Sequence, residues 1–284
     1  MILDNTPIEE YKVKGRTVFV KREDFAALYP LPPLAKMRGV AKRLEKVAKE
    51  GFKTVGVFDT KVSVAGYGTS ILAKEFGMQC ITYFGGTKEM MCSPAPNILA
   101  AKRTGDIFPV MPGRTPICYS YAKKHAEAYG FYMMPQGLAC EETSDEVAKV
   151  ASLTPEGLCN GSLVIISGTA TILSGVLKGL AKMPERAISI SACISPNKQR
   201  RNVTRLMITD MAIDPNIGRI RQVEFLPPVM DYYDECTFPA PFDCNKHYDR
   251  KAWWWLNENI DSLPDPILFW NIGGDYDKIF RENE

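Results

Sequence analysis

Residues 162–182 have the sequence SLVIISGTATILSGVLKGLAK, and the fold class follows from this stretch. Residues 162–167 form a nearly continuous apolar run, which is typical of a strand buried on both faces. Residues 171–182 carry apolar side chains at helical spacing. Small and hydroxylated residues separate the two segments, so the stretch predicts a strand, a turn and a helix. This unit is typical of a parallel sheet covered by helices.

The same alternation recurs along the chain. Further strands are predicted at 17–21, 53–58, 79–84, 106–110, 187–192 and 267–271, and further helices at 34–50, 63–76, 95–103 and 117–128. The pattern predicts an α/β protein with mostly parallel sheets. Ligands of such folds bind at the carboxyl ends of the strands, so a site is expected in the turns between strand and helix.

Composition narrows the classes of function. The 284 residues carry a formal net charge of +2, which neither requires nor excludes a nucleic-acid partner. Only His125 and His247 are present, which argues against a histidine-based zinc site and against a Ser-His-Asp triad, and no metal is expected. Eight cysteines occur without a CxxC pair, and those in apolar runs, such as Cys80 and Cys193, indicate buried, reduced thiols.

The sequence shows neither a signal-peptide pattern at its start nor an apolar stretch that could cross a membrane. Together with the cysteine usage, this predicts a cytoplasmic protein without a membrane partner.

Three turns could carry chemistry. Residues 167–171 offer hydroxyls, backbone N–H groups and the positive end of a helix dipole, all suited to a phosphate, although Thr169 or Thr171 could equally be an ordinary helix cap. Lys36 lies just inside the predicted 34–50 helix, where partial burial would lower its pKa and make it a nucleophile; the alternative is an exposed helix lysine. Residues 60–70 lack a GxGxxG pattern, because position 71 is isoleucine.

Further motifs join these turns in a recognisable order. They are Val20-Lys21-Arg22-Glu23-Asp24, Lys36-Met37-Arg38, Ser63, Ser167 to Gly175, Tyr248-Asp249-Arg250-Lys251-Ala252 and Ile267 to Gly274. In this order the sequence resembles the fold-type-II enzymes that depend on pyridoxal 5'-phosphate (PLP), nearest to the aminocyclopropane-carboxylate (ACC) deaminase and D-cysteine desulfhydrase branch. The family patterns are "KRED", "NKxRK", the serine of "QSN", a "GSGGTxAG" phosphate loop, "YxGKA" and "vLFvHTGG".

The resemblance implies PLP as cofactor and a role for each matching residue. Lys36 would form the Schiff base, and Asp249 would pair with the pyridine nitrogen. Ser63 and Tyr248 would be catalytic and relay protons, although Ser63 could instead be a helix cap and Tyr248 a packed aromatic residue. The remaining cofactor-binding residues would be Ser167, Gly168, Thr169, Ala170, Thr171 and Gly273.

The resemblance also implies an architecture. It has two domains with open, twisted, mostly parallel sheets: a large PLP-binding domain from residues 1–39 and 140–284, and a small mobile domain from residues 40–139. The cofactor would lie in the cleft between them, and enzymes of this type are commonly homodimers.

Three departures from the family leave the reaction open. Val64, Arg250 and Ile272 stand where the family has asparagine, glycine and threonine. One hypothesis is a lyase or deaminase that acts on a free amino acid. A second is a bacteriophage enzyme of DNA hypermodification, for example a decarboxylase of an amino acid attached to a thymine base. A third is an inactive binding homologue.

A basic cluster bears on the second hypothesis, because it could contact DNA phosphates. The cluster consists of Lys198, Arg200, Arg201, Arg205, Arg219 and Arg221, of which Arg200, Arg201 and Arg205 are expected to contact nucleic acid. The alternative is a solvated helix face.

Overall fold

The computed structural model describes residues 2–86, 95–108, 111–208, 212–277 and 279, and the strands within these residues form two sheets. The large sheet contains, in spatial order, β1 (Ile8–Val13), β2 (Arg16–Arg22), β11 (Ile267–Asn271), β8 (Ser162–Ser167), β9 (Arg186–Ser191) and β10 (Val223–Leu226). β1 and β2 are antiparallel, and the other neighbouring pairs of this sheet are parallel.

The small sheet is parallel throughout its described pairs. Its spatial order is β5 (Asp106–Ile107), β4 (Gln79–Gly86), β3 (Thr54–Asp59) and β7 (Tyr132–Met133), and β6 (Met111–Pro112) also pairs with β4. All of its strands come from residues 40–139, whereas the strands of the large sheet come from outside that range. The proposed domain boundaries themselves stay a prediction.

Helices accompany both sheets. They are α1 (Met37–Lys49), α2 (Ala65–Glu75), α3 (Pro96–Thr104), α4 (Thr115–Ala128), α5 (Glu141–Ser152), α6 (Thr171–Gly179), α7 (Pro196–Leu206) and α8 (Asp249–Asn259). α5 and α6 approach each other so closely that a Cβ on Gly179 would lie 2.0 Å from the carbonyl oxygen of Ala148. Glycine is therefore required at this crossing.

Burial explains the apolar strands. Every residue of β8 and β11 is buried, because both strands lie inside the large sheet with neighbours on each side. Such strands need apolar residues on both faces. The predicted α/β class with mostly parallel sheets is confirmed. No helix in the described part of the chain is long and apolar enough to span a membrane.

The start of α1 differs from the prediction. The helix begins at Met37, so Lys36 immediately precedes it and does not lie inside it. The cause is a bridge between Leu34 and Gly273, together with a hydrogen bond from Ala35 N to Ile272 O, which holds this segment against the end of β11. Because Leu34 and Ala35 pair with the segment after β11, they cannot form the first turn of the helix.

A buried ion pair fixes the orientation of α1. The Arg38 guanidinium lies 2.5 Å from the Glu23 carboxylate, and both side chains are almost fully buried. Glu23 directly follows β2, so the pair connects the large sheet with the first turn of α1. Lys36, two residues before Arg38, is thereby held in one place.

Other predictions need correction. The helix predicted at 171–182 ends at Gly179, because Leu180 has an extended backbone. The strand predicted at 106–110 is seen only at 106–107, and residues 109 and 110 lie outside the described residues. Cys193 was expected to be buried but is exposed, since it lies in the turn after β9. β1, β6, β7, β10 and α5 were not predicted, and no bounds were predicted for α7 and α8.

Candidate active site

A cleft of about 700 Å³ lies at the carboxyl ends of strands from both sheets. Its walls include the residues at and just after the ends of β3, β8, β9 and β11. This is the expected place for a ligand in a parallel sheet. All residues predicted to be catalytic or to bind the cofactor line this cleft: Lys36, Ser63, Ser167, Gly168, Thr169, Ala170, Thr171, Tyr248, Asp249 and Gly273.

The amine of Lys36 lies on the wall of the cleft. Its Nζ donates to the carbonyl oxygen of Gly137 at 2.7 Å and to Oγ1 of Thr169 at 3.3 Å. Surrounding protein atoms raise the cost of charging the amine, and this burial lowers the pKa of Lys36 to about 8. A substantial fraction of such an amine is neutral near physiological pH and can act as a nucleophile.

The turn 167–171 follows β8 and leads into α6. Oγ of Ser167 accepts a hydrogen bond from Ser189 at 2.9 Å, and the hydroxyls of Thr169 and Thr171 lie 2.9 Å apart. Ala170 has a left-handed backbone, with φ of 64°, and occupies the N-cap position of α6. No side chain of the described residues caps this helix, so neither threonine has the capping role considered above. The N–H groups of the first turn are open to an anion.

Asp249 is fully buried at the start of α8 and faces the cleft. Its Oδ1 accepts the backbone N–H of Ile272 at 2.7 Å, and its Oδ2 has no hydrogen-bond partner among the described residues. Burial raises the pKa of Asp249 well above its usual value. A buried carboxyl with one unpaired oxygen is suited to a cationic ring nitrogen, which would stabilise its charged form.

A chain of hydroxyls crosses the cleft. The hydroxyl oxygen of Tyr232 lies 2.6 Å from that of Tyr248 and 3.2 Å from Oγ1 of Thr60. Burial raises the pKa of both tyrosines, so both are neutral and each can donate or accept a proton. Lys251 holds this wall in place by donating to the carbonyl oxygen of Asp231 at 2.5 Å. The chain joins the end of β3 to the large sheet.

The turn between β3 and α2 is filled by its own side chains. The carboxylate of Asp59 accepts the N–H of Thr60 at 2.9 Å and that of Gly66 at 2.6 Å, and Oγ of Ser63 accepts the N–H of Ala65 at 3.3 Å. Burial raises the pKa of Asp59 to about 6. The backbone N–H groups of Ala65 and Gly66 at the start of α2 therefore already have acceptors. The Asp59 carboxylate beside them is mostly ionised at pH 7.

Only some of the basic residues on α7 line the cleft. Arg205 lines the cleft together with Lys198 and Asn202, whereas Arg200 and Arg201 do not. The guanidinium of Arg200 lies over the ring of Phe225, 5.2 Å from its centroid. Of the three arginines predicted to contact nucleic acid, only Arg205 is therefore in a position to contact a ligand in this cleft.

Three residues of the site were not singled out from the sequence: Asp59, Gly137 and Tyr232. Gly137 and Tyr232 reach the cleft from segments distant in sequence, and no local pattern marks them. Asp59 could have been found, because an acidic residue at the end of a buried strand is a positional signal. Lys198 was predicted as part of the basic cluster, and helical spacing could have separated it from Arg200 and Arg201.

The cleft fits PLP on three independent points. Lys36 supplies an amine for the aldehyde, the turn 167–171 supplies open N–H groups and hydroxyls for the phosphate, and Asp249 supplies an unpaired oxygen for the pyridine nitrogen. The first two elements are in contact, because Nζ of Lys36 lies 3.3 Å from Oγ1 of Thr169. The individual roles of these residues stay predictions.

Comparison with known proteins agrees with this fit. No protein-family model matches the chain. The chain is 32% identical over 284 residues to the glycyl-dTMP PLP-dependent decarboxylase of Pseudomonas phage M6, covering 96% of this chain and 100% of that protein.

Solved structures show the same fold. A homologue of ACC deaminase has a TM-score of 0.75 at 17% identity, and the match covers 98% of this chain and 93% of the other. Threonine deaminase isoform 2 from Solanum lycopersicum has a TM-score of 0.64 at 12% identity, covering 99% and 87%.

These findings confirm three predictions made from the sequence: the fold-type-II architecture, PLP as cofactor and an enzyme that depends on it. The third hypothesis, an inactive homologue, finds no support among the relatives. The chain belongs to the family of fold-type-II PLP-dependent enzymes that includes the glycyl-dTMP decarboxylase of Pseudomonas phage M6.

Proposed function

We propose that this enzyme decarboxylates an amino acid attached to a thymine-type nucleotide. The phage M6 relative is named for a reaction on glycyl-dTMP, and the match extends over almost the whole of both chains. The structural observation that carries the proposal is the turn between β3 and α2, whose donors are occupied by Asp59 and Ser63.

This turn is poorly suited to holding a substrate carboxylate. A carboxylate placed there would find no open N–H of Ala65 or Gly66, and it would face the negative charge of Asp59. The side chains of Val62 and Val64, which also line the cleft, offer it no hydrogen bond. Such a wall destabilises a bound carboxylate more than the neutral carbon dioxide formed from it, and this difference favours decarboxylation.

Other residues of the cleft would hold the cofactor and exclude water. The turn 167–171 and the first turn of α6 would hold the cofactor's phosphate, and Asp249 would hold a proton on its pyridine nitrogen. When bound at Lys36, PLP supplies an electron sink for a bond broken at the amino acid's α-carbon. The buried walls exclude water from this reacting carbon.

The net reaction replaces the carboxylate with a proton. The bond between the α-carbon and the carboxyl carbon breaks, carbon dioxide leaves, and the α-carbon gains one proton. Two groups in the cleft can deliver it: Nζ of Lys36, with its pKa lowered to about 8, and the hydroxyl of Tyr248, which is hydrogen-bonded to Tyr232. The Tyr232–Thr60 contact allows that hydroxyl to be reprotonated along the chain.

The test is a direct assay of the PLP-loaded enzyme with glycyl-dTMP. We expect release of carbon dioxide and a nucleotide product lighter by the mass of one carbon dioxide, detected by mass spectrometry. Free glycine at the same concentration should give neither product. Release of ammonia or sulfide from free amino acids, with glycyl-dTMP left intact, would contradict the proposal and support the lyase or deaminase hypothesis.

The proposal also includes the place and the pathway in which the enzyme acts. A phage relative is consistent with an enzyme that takes part in DNA modification in the host cytoplasm. The homodimer expected from the resemblance also stays a prediction, and sedimentation equilibrium of the PLP-loaded protein would test it.

A further inference from the structure

We infer that the cleft-facing side of α7, which carries Lys198, Asn202 and Arg205, binds a phosphate of the nucleotide substrate. This inference rests on the proposed function and makes it more specific, because it assigns the part of the protein that recognises the nucleotide. The phosphate could belong to a free 5'-mononucleotide or to a DNA strand, and the same two cations would serve both.

Helical spacing brings the three side chains together. Positions 198, 202 and 205 are separated by four and three residues, so they lie on one face of α7. All three line the cleft. Asn202 adds an amide that can donate a hydrogen bond to a phosphate oxygen.

The two cations have no charged partner within the described residues. Neither the Lys198 amine nor the Arg205 guanidinium makes an ion pair or a side-chain hydrogen bond there, whereas Arg186 on β9 pairs with Glu224 at 3.0 Å. Two unpaired cations facing one cleft create a positive potential that attracts an anion. The guanidinium and the ammonium are also the usual donors to phosphate in proteins.

Arg205 faces the opposite wall of the cleft. Tyr119 on α4 also lines the cleft, and burial raises the pKa of its hydroxyl while the positive charge of Arg205 opposes that rise. α4 belongs to the small-sheet region and α7 to the large-sheet region. A ligand held by Arg205 would therefore lie between both regions of the protein.

The other charges of the cleft already have assigned functions. Among its described lining residues, the remaining charged groups are Lys36, Asp59 and Asp249. In the proposed function Lys36 bonds to the cofactor, Asp249 pairs with its ring nitrogen and Asp59 faces the substrate carboxylate. The cofactor's phosphate is assigned to the turn 167–171. Lys198 and Arg205 thus form a second anion-binding element, which a free amino acid would not need.

The cleft also has room for this second group. Its volume of about 700 Å³ lies in the upper part of the range of about 300–1,000 Å³ found for pockets that enclose drug-sized ligands. A cleft of this size is suited to a large ligand, such as PLP together with a nucleotide.

Binding measurements on the PLP-loaded enzyme test the inference without turnover. The probes are dTMP, thymidine and a short single-stranded oligodeoxynucleotide, titrated by calorimetry at low and high salt. For the Lys198→Ala/Arg205→Ala variant we expect a loss of dTMP affinity of about tenfold or more, since charge-assisted hydrogen bonds are lost. Thymidine affinity should not change, and added salt should weaken dTMP binding to the wild type.

Arg201→Ala is the matched control, because Arg201 is exposed on the same helix outside the cleft. It should bind dTMP like the wild type, and all variants should keep the cofactor's visible absorption and the thermal midpoint. If only the oligonucleotide binds, and its binding depends on Lys198 and Arg205, the phosphate comes from DNA and the inference stands. Unchanged dTMP and oligonucleotide affinities in the double variant would overturn it. An enzyme that binds dTMP through these residues but leaves glycyl-dTMP intact would overturn only the proposed reaction.

Discussion

Lys36 owes its chemical character to the residues around its amine. Gly137 and Thr169 accept its hydrogen bonds, and neither carries a charge that would hold the amine protonated. Burial then lowers the pKa of Lys36 to about 8. Lys42, on the solvent side of α1, has an exposed side chain, and its amine lies 3.8 Å from the Glu45 carboxylate. The two lysines differ in surroundings, not in type.

This contrast gives the first prediction. Lys36→Ala should abolish borohydride-trapped attachment of PLP and lower decarboxylation by about 10²–10⁴-fold or more, the loss expected when an acid–base group is removed. Lys42→Ala should leave both unchanged. Peptide mass mapping of the reduced protein locates the attachment. An adduct that persists in Lys36→Ala at another lysine would reject the assignment.

Asp59 makes stability depend on pH. Its pKa is raised from 3.8 to about 6 in the folded protein, so its contribution to stability is full below about pH 3.8 and is lost as the pH rises through 6. The total is about 3 kcal/mol, and about half of it is lost above pH 5. Relative to Asp59→Asn, the wild type should lose about 1–2 kcal/mol of unfolding free energy between pH 5 and pH 7.5, measured by chemical denaturation. A constant difference would show that Asp59 does not titrate in this range.

The same carboxylate should govern the pH dependence of catalysis. If ionised Asp59 repels the substrate carboxylate, the rate of decarboxylation should rise as the pH increases through about 6, until the titration of Lys36 near pH 8 takes effect. In Asp59→Asn the rise near pH 6 should be absent, while cofactor absorption is retained. A variant with an unchanged pH profile would show that Asp59 has only a structural function in the turn.

At the scale of elements, the site depends on a loop that contacts the turn after β8. Gly137 has a φ of 63°, and a Cβ at this position would lie 2.4 Å from Cγ2 of Thr169. Gly137→Ala should therefore displace the turn 167–171 and the carbonyl that accepts from Lys36. We expect a loss of about 1–3 kcal/mol in stability and weaker binding of PLP, measured by equilibrium dialysis.

Gly157→Ala provides the comparison, because a Cβ at Gly157 would meet no atom within 4 Å. This variant should bind PLP like the wild type. If the two variants behaved alike, the contact between the loop and the turn would not matter for the cofactor.

The elements differ in how far the sequence predicts them. β8 and β11 were predicted at their observed bounds, because central strands need unbroken apolar runs. β1, with the sequence IEEYKV, was missed, since an antiparallel edge strand exposes much of one face and tolerates charged residues. α5 was missed because only a few apolar residues, such as Val147 and Val150, mark its buried side.

The site was predictable only where local motifs mark it. The turn 167–171 and Lys36 belong to such motifs, and the structure brings them into contact. The Lys36–Gly137 hydrogen bond joins residues 101 positions apart in sequence, and the Tyr232–Thr60 contact joins residues 172 apart. Contacts of this kind arise from the packing of the two sheets, so no pattern within one segment can predict them.

At the scale of the whole molecule, the cleft lies at the ends of strands from both sheets, and hydrogen bonds near the site connect the two regions. The hydroxyl chain from Thr60 through Tyr232 to Tyr248 is one connection, and the hydrogen bond from Tyr276 to the carbonyl oxygen of Val62, 2.7 Å long, is another. A ligand bonded to Lys36 and held by the turn 167–171 would add contacts on both sides. We therefore expect the cofactor to stabilise the protein as a whole.

The last prediction compares PLP with pyridoxal, which has the aldehyde but lacks the phosphate. At about 100 times its dissociation constant, PLP should stabilise the folded protein by about 2.7 kcal/mol, which corresponds to a rise of about 5 °C in the thermal midpoint for a chain of this size. Pyridoxal at the same concentration can still reach Lys36, but it cannot use the open N–H groups of α6. Its shift should be much smaller, and inorganic phosphate added with it should recover part of the difference. Equal shifts for PLP and pyridoxal would mean that the turn 167–171 does not hold the phosphate, and the placement of the cofactor in the cleft would then have to be reversed.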